Sequence, residues 1–86
     1  MPEISRFYGI IIKMFFEDHN PPHFHAEYGE HEALININTL EIIEGKLPKR
    51  AKILVIEWAL EHRNKLLQNW EKAKIPDDIE KIDPLK

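Results

Sequence analysis

Three histidines and three carboxylates fall within one eleven-residue stretch, Glu17-Asp18-His19-Asn20-Pro21-Pro22-His23-Phe24-His25-Ala26-Glu27. Imidazole and carboxylate can hold a divalent metal, and imidazole exchanges protons near neutral pH. His23 and His25 are two apart, so on a strand they share a face about 7 Å apart, within reach of one ion. His19 could swing in from the Pro-Pro loop, and Glu27 or Asp18 could supply oxygen. Zinc or another divalent metal fits such a set, with His19, His23, His25 and Glu27 as ligands. The same histidines, with Asp18, could run metal-free acid–base chemistry. A third reading is structural: imidazoles bond loop carbonyls, and Asn20 before Pro21 makes an Asx-type turn.

A second cluster is basic. Lys46, Lys49, Arg50 and Lys52 gather where a long helix is predicted to begin. Cations there oppose the helix dipole, so a bound acidic or phosphate group would relieve them. The alternative is a solvated basic face. Other chemistries lack their residues. There is no cysteine, Ser5 and Thr39 are the only serine and threonine, and Gly9, Gly29 and Gly45 are isolated, so no glycine-rich phosphate loop exists. His23-x-His25 followed by Glu30 mimics the first metal motif of cupins, but the chain is too short to close their double-sheet barrel.

The elements that must position these residues follow from periodicity. Ile10 to Phe16 is β-branched and aromatic and reads as a strand, with Arg6-Phe7-Tyr8-Gly9 leading in and Gly9 marking a bulge or bend. Asp18 to Pro22 is a loop. His23 to Tyr28 is a second strand, with His23, His25 and Glu27 on one face and Phe24, Ala26 and Tyr28 on the core face. Gly29-Glu30 turns the chain into a third strand, His31 to Ile37, and Asn38-Thr39 turns it into a fourth, Leu40 to Glu44. Such short loops predict an antiparallel meander.

After Pro48 no proline or glycine interrupts Lys49 to Lys74. Ala51, Leu54, Val55, Trp58, His62, Leu66 and Trp70 recur at helical spacing, and Ile53, Ile56, Leu60 and Leu67 widen the apolar surface. A straight helix of this span is roughly 40 Å long, so it must overhang the sheet or break near His62. His62 reads as a packed histidine on the apolar face. The broad apolar surface points to a partner or a homodimer, with Trp70, Leu60 and Leu67 as interface candidates. The fold class is therefore α+β: an antiparallel sheet of about four strands packed on one long C-terminal helix. Residues 1–74 form a single domain, and 75–86 form an extended tail.

Eighty-six residues limit the core to one small domain, and the charge is divided. Residues 1–45 carry eight acids and two bases, whereas residues 46–86 carry ten bases and seven acids. A net charge of −3 disfavours broad nucleic-acid binding. The absence of cysteine fits a reducing compartment, and the first residues lack a signal-peptide pattern, so the expected location is cytoplasmic, with no membrane association.

Several segments together resemble one bacterial family. They are Pro2 to Ile10, Asp18-His19-Asn20-Pro21-Pro22-His23-Phe24-His25-Ala26, Leu40 to Pro48, Glu57-Trp58, His62-Arg63 and Asn69-Trp70. This is similar to the family catalogued as domain of unknown function 4160, over nearly the whole chain from Met1 to about Lys74. The resemblance implies no established activity. Genes of that family commonly lie beside those of a second small family, domain of unknown function 2442, an arrangement like a toxin–antitoxin operon. It therefore implies a co-encoded protein partner. The leading expectation is a toxin–antitoxin-like component acting through that partner. The alternatives are a small metal-dependent hydrolase or nuclease using His19, His23 and His25, and a nucleic-acid-binding regulator using the basic cluster.

Overall fold

A computed structural model describes residues 3–15, 21–72 and 80–86. Its strands are β1 (Glu3–Phe7), β2 (Ile10–Lys13), β3 (His23–Tyr28), β4 (His31–Asn36) and β5 (Ile42–Gly45), followed by one helix, α1 (Lys49–Lys72). The strands form a single antiparallel sheet in chain order. The α+β class and the long helix are as expected, with five strands in place of about four. The additional strand is β1, where a register shift between Glu3 and Ser5 interrupts the alternation that would have marked it.

Local chemistry explains the turns. Tyr8 and Gly9 join β1 to β2 with φ of 50° and 81°. Two left-handed residues make the type I′ turn whose twist suits a two-residue hairpin. Between β4 and β5, the Asn36 side-chain oxygen accepts from the backbone N–H of Asn38 at 2.8 Å and of Thr39 at 3.1 Å. That Asx-type turn shifts the start of β5 from the expected Leu40 to Ile42. At the far end of β5, Gly45 has φ of 83°, and a Cβ there would lie 2.1 Å from the Glu32 carbonyl oxygen. Only glycine lets β5 lie this close to β4 before the chain turns into α1.

One face of the sheet meets the helix. Phe7, Ile10, Ile12, Phe24, Ala26 and Ile35 pack with Ala51, Val55, Trp58, Ala59 and Leu66. Trp58 is fully buried, 5.5 Å from the Phe7 ring and 5.8 Å from Phe24 between centroids. Truncating such a tryptophan costs about 3–5 kcal/mol. A small domain has only ~5–15 kcal/mol in all. The helix bends at His62, whose φ of −121° and ψ of 19° leave helical geometry. A straight 24-residue helix would run about 36 Å, whereas the longest dimension of the molecule is 33 Å. Of the two expected solutions, the chain uses the break.

Residues 80–86 return over the other end of the sheet. The Ile82 N–H donates to the Ile4 carbonyl at 2.7 Å, and Ile82 is buried. This covers the edge of β1, which would otherwise expose unpaired backbone groups. Asn69 clamps the segment from α1, donating to the Glu80 carbonyl at 2.7 Å and accepting its N–H at 3.1 Å. Trp58 Nε1 donates to the Asp83 carbonyl at 2.8 Å. Among the described residues, no helix is long and apolar enough to cross a membrane.

Candidate functional site

The histidines sit where β3 begins. Alternation there is broken, because His23 and Phe24 are both buried, while His25 and Glu27 are half-buried on the opposite face from Phe24 and Ala26. Tyr28, expected in the core with Phe24 and Ala26, is instead 38% exposed. It ends β3 at the rim of the sheet, beside the Tyr8-Gly9 turn.

Four rings form a row. Phe15 meets His25 edge-on at 4.6 Å, His25 meets His23 at 5.4 Å, and His23 meets Trp70 at 5.2 Å. Trp70, 8% exposed, thus joins the end of α1 to the start of β3 and closes the core there. His23 Nδ1 lies 2.8 Å from the Pro21 carbonyl oxygen. A carbonyl only accepts, so Nδ1 carries the hydrogen, and in the neutral ring Nε2 holds the lone pair. The His23 tautomer is therefore set by the Pro-Pro loop. Lys13, paired with His25 across the strands, makes a 2.8 Å ion pair with Glu27.

This arrangement sets two imidazoles side by side, while the Glu27 carboxylate is engaged by Lys13. Among the described residues, no group of three or more histidines or carboxylates is placed to hold a metal. His19 and Asp18 lie outside the described residues. Phe15 and Lys13, absent from the sequence-based candidates, also adjoin His25. Their signal was the alternation of the first long apolar run, which places Lys13 on the outer face of β2. Ser5 is buried on β1 with no partner for its hydroxyl among the described residues.

The basic cluster lies at the other end of α1. Lys46, Lys49, Arg50 and Lys52 are all exposed, and the first turn holds no acid. Roughly 30 Å of helix separates Arg50 from Trp70, so these cations and the histidines are two regions. Of the interface candidates, Leu60 is 59% exposed, Leu67 is half-buried and Trp70 is buried; Ile53 adds a second outward aliphatic at 54% exposure.

No curated protein and no solved structure is significantly similar to the chain. A family model matches residues 9–71, from the first hairpin turn through the histidine row to the end of α1. That span is most of the chain, and the protein belongs to the family described as domain of unknown function, DUF4160.

Proposed function

We propose that the protein is a toxin–antitoxin-like component that works by seating a co-encoded protein partner on the outer face of α1. One observation carries this reading: Ile53 and Leu60, seven residues apart on the helix, keep 54% and 59% of their surface in water although the core is already closed. Half-buried Ile56 and Leu67 flank these two residues and pack partly against the core. Fully covering a large aliphatic yields about 1.5–3 kcal/mol. The exposed halves of Ile53 and Leu60 therefore hold on the order of 2 kcal/mol for a partner.

That alone does not hold a complex together. A stable interface covers more than about 1,000 Å² in total, so the partner must reach beyond this line. The adjoining cations at Lys46, Lys49, Arg50 and Lys52 favour an apolar partner surface with an acidic rim. A small protein of the domain of unknown function 2442 type is the occupant implied by the family resemblance.

Mixing the two purified proteins should give a defined complex by light scattering. Leu60→Glu and Ile53→Glu should each abolish it at unchanged melting temperature. Charge reversal of Lys49 and Arg50 should weaken it more at low salt than at high salt. A complex that survives both glutamate substitutions would overturn the assignment to this face. A dimer of this chain that excludes the neighbour would transfer the face to a second copy.

A further inference from the structure

The first hairpin turn, the end of β3 and the start of α1 enclose a cleft of about 450 Å³ lined by Tyr8, Tyr28, Arg50, Ala51 and Leu54. Small-molecule sites span about 300–1,000 Å³. Two of the lining residues are aromatic and exposed, Tyr8 at 60% and Tyr28 at 38%. Neither the core nor the turn asks for tyrosine at position 8. Its φ of 50° is unfavourable for a bulky side chain, and asparagine or glycine is the usual choice in a type I′ turn. At the next position Gly9 lies beside the same cleft, where a Cβ would be in ordinary contact with the Tyr28 ring at 3.4 Å. The cation of the cleft, Arg50, is exposed and makes no ion pair among the described residues.

We propose that this cleft binds a single nucleotide, with its base against Tyr8 and Tyr28 and its phosphate at Arg50. A bare anion would leave both rings unused, and a neutral aromatic would leave Arg50 unused. A flat ring joined to a phosphate uses all three. Aromatic side chains stack any base through its π-face, and arginine matches phosphate geometry. A long strand fits poorly, because residues 1–45, which supply all five strands of the sheet, carry eight acids against two bases. The cleft adjoins the partner face through Arg50, but neither Ile53 nor Leu60 lines it, so glutamate at either aliphatic should leave nucleotide binding intact.

Titration calorimetry of the full chain with adenosine 5′-monophosphate tests this, with adenosine and ribose 5-phosphate as the separate halves. The intact nucleotide should bind at least about tenfold more tightly than either half. Arg50→Gln should reduce the nucleotide to the affinity of adenosine and leave adenosine unchanged. Tyr8→Asn keeps a residue that accepts the left-handed turn, and it should weaken binding by about 5- to 100-fold; Tyr28→Leu should act similarly. A 5′-phosphorylated trinucleotide separates the sources. Tighter binding than the mononucleotide assigns the unit to a strand end, and equal or weaker binding assigns the free nucleotide. No heat with adenosine or uridine monophosphate at millimolar concentration would overturn the proposal. So would equal affinity for ribose 5-phosphate, or unchanged affinity in both Arg50→Gln and Tyr8→Asn.

Discussion

Replacing His23 distinguishes a histidine that fastens the end of the sheet from one that serves a metal. The side chain is 5% exposed, bonds the Pro21 carbonyl at 2.8 Å, and meets Trp70 and His25 at 5.2 and 5.4 Å. The hydrogen bond is worth about 1 kcal/mol. Pro21 is exposed, so water can replace the lost donor. Each ring contact adds about 0.5–1.5 kcal/mol. His23→Ala should therefore cost about 2–4 kcal/mol. For a domain of this length, each kcal/mol lowers Tm by about 4–8 °C, so the expected fall is roughly 10–30 °C. His23→Asn retains an N–H near the place of Nδ1 and should recover about 1 kcal/mol. His23→Gln moves its amide farther out and should resemble alanine in this respect. Circular-dichroism melts of all four proteins, with chelator and with equimolar zinc, give the comparison. The order should be wild type, asparagine, then glutamine and alanine, and chelator should leave wild type unchanged. Zinc stabilisation of wild type that vanishes in His23→Ala would refute the fastening role and restore a metal site. An asparagine variant no better than alanine would refute the hydrogen-bond part.

Three further substitutions test the frame around the sites. Gly45→Ala places a Cβ 2.1 Å from the Glu32 oxygen at φ of 83°, whereas Gly29→Ala at φ of 60° meets nothing within 4 Å. Urea denaturation should show a loss of about 2–5 kcal/mol for the first and about 1–2 for the second; equal losses would mean the close approach of β5 to β4 carries no cost. The Arg6 guanidinium donates to Glu3 at 2.7 Å and, with Lys81 and Lys13 nearby, holds that carboxyl below its ordinary range. Because the folded state lowers this pKa, the pair's stabilisation exists at neutral pH and disappears as pH falls through the folded value. Glu3→Gln should therefore melt slightly below wild type at pH 7 and level with it near pH 3, and a gap that widens in acid would contradict that sign.

Much of the architecture could be read from the sequence because it is written in local patterns. Alternation in Ile10 to Lys13, Phe24 to Glu27 and Ala33 to Asn36 requires nothing beyond neighbours two apart. The absence of proline and glycine from Lys49 to Lys74 announces the helix. Length then forces its bend, because a rod of 24 residues exceeds what so small a sheet can cover. The strand β1 was harder to read, since its register shift puts Ile4 and Ser5 both out of water and removes the period that would identify it. Residues 80–86 give no periodic signal either. Their place is fixed by Asn69 and Trp58, eleven and twenty-five residues from the carbonyls they hold.

The chemistry-bearing side chains divide along the same line. That His23 and His25 adjoin follows from strand geometry, and their rings are neighbours. Whether they face water or the core depends on what the far end of the helix does, and no pattern within the histidine stretch contains that information. Trp70 supplies it by reaching the first residue of β3, which buries a histidine that alternation would place beside half-exposed His25. The Tyr8–Tyr28–Arg50 cleft has the same origin. Its three polar or aromatic walls come from a hairpin turn, a strand end and a helix start, spread over more than forty residues. Arg50 stands out in the sequence only as one of four clustered cations, and the two tyrosines carry no signal on their own elements. Only the I′ turn, which carries Tyr8 in a conformation that tyrosine rarely adopts, brings the three to one space. A sequence pattern can thus name the residues that a fold must bury, whereas the residues it leaves facing one another across a cleft are settled by turns and by the angle at which the helix arrives.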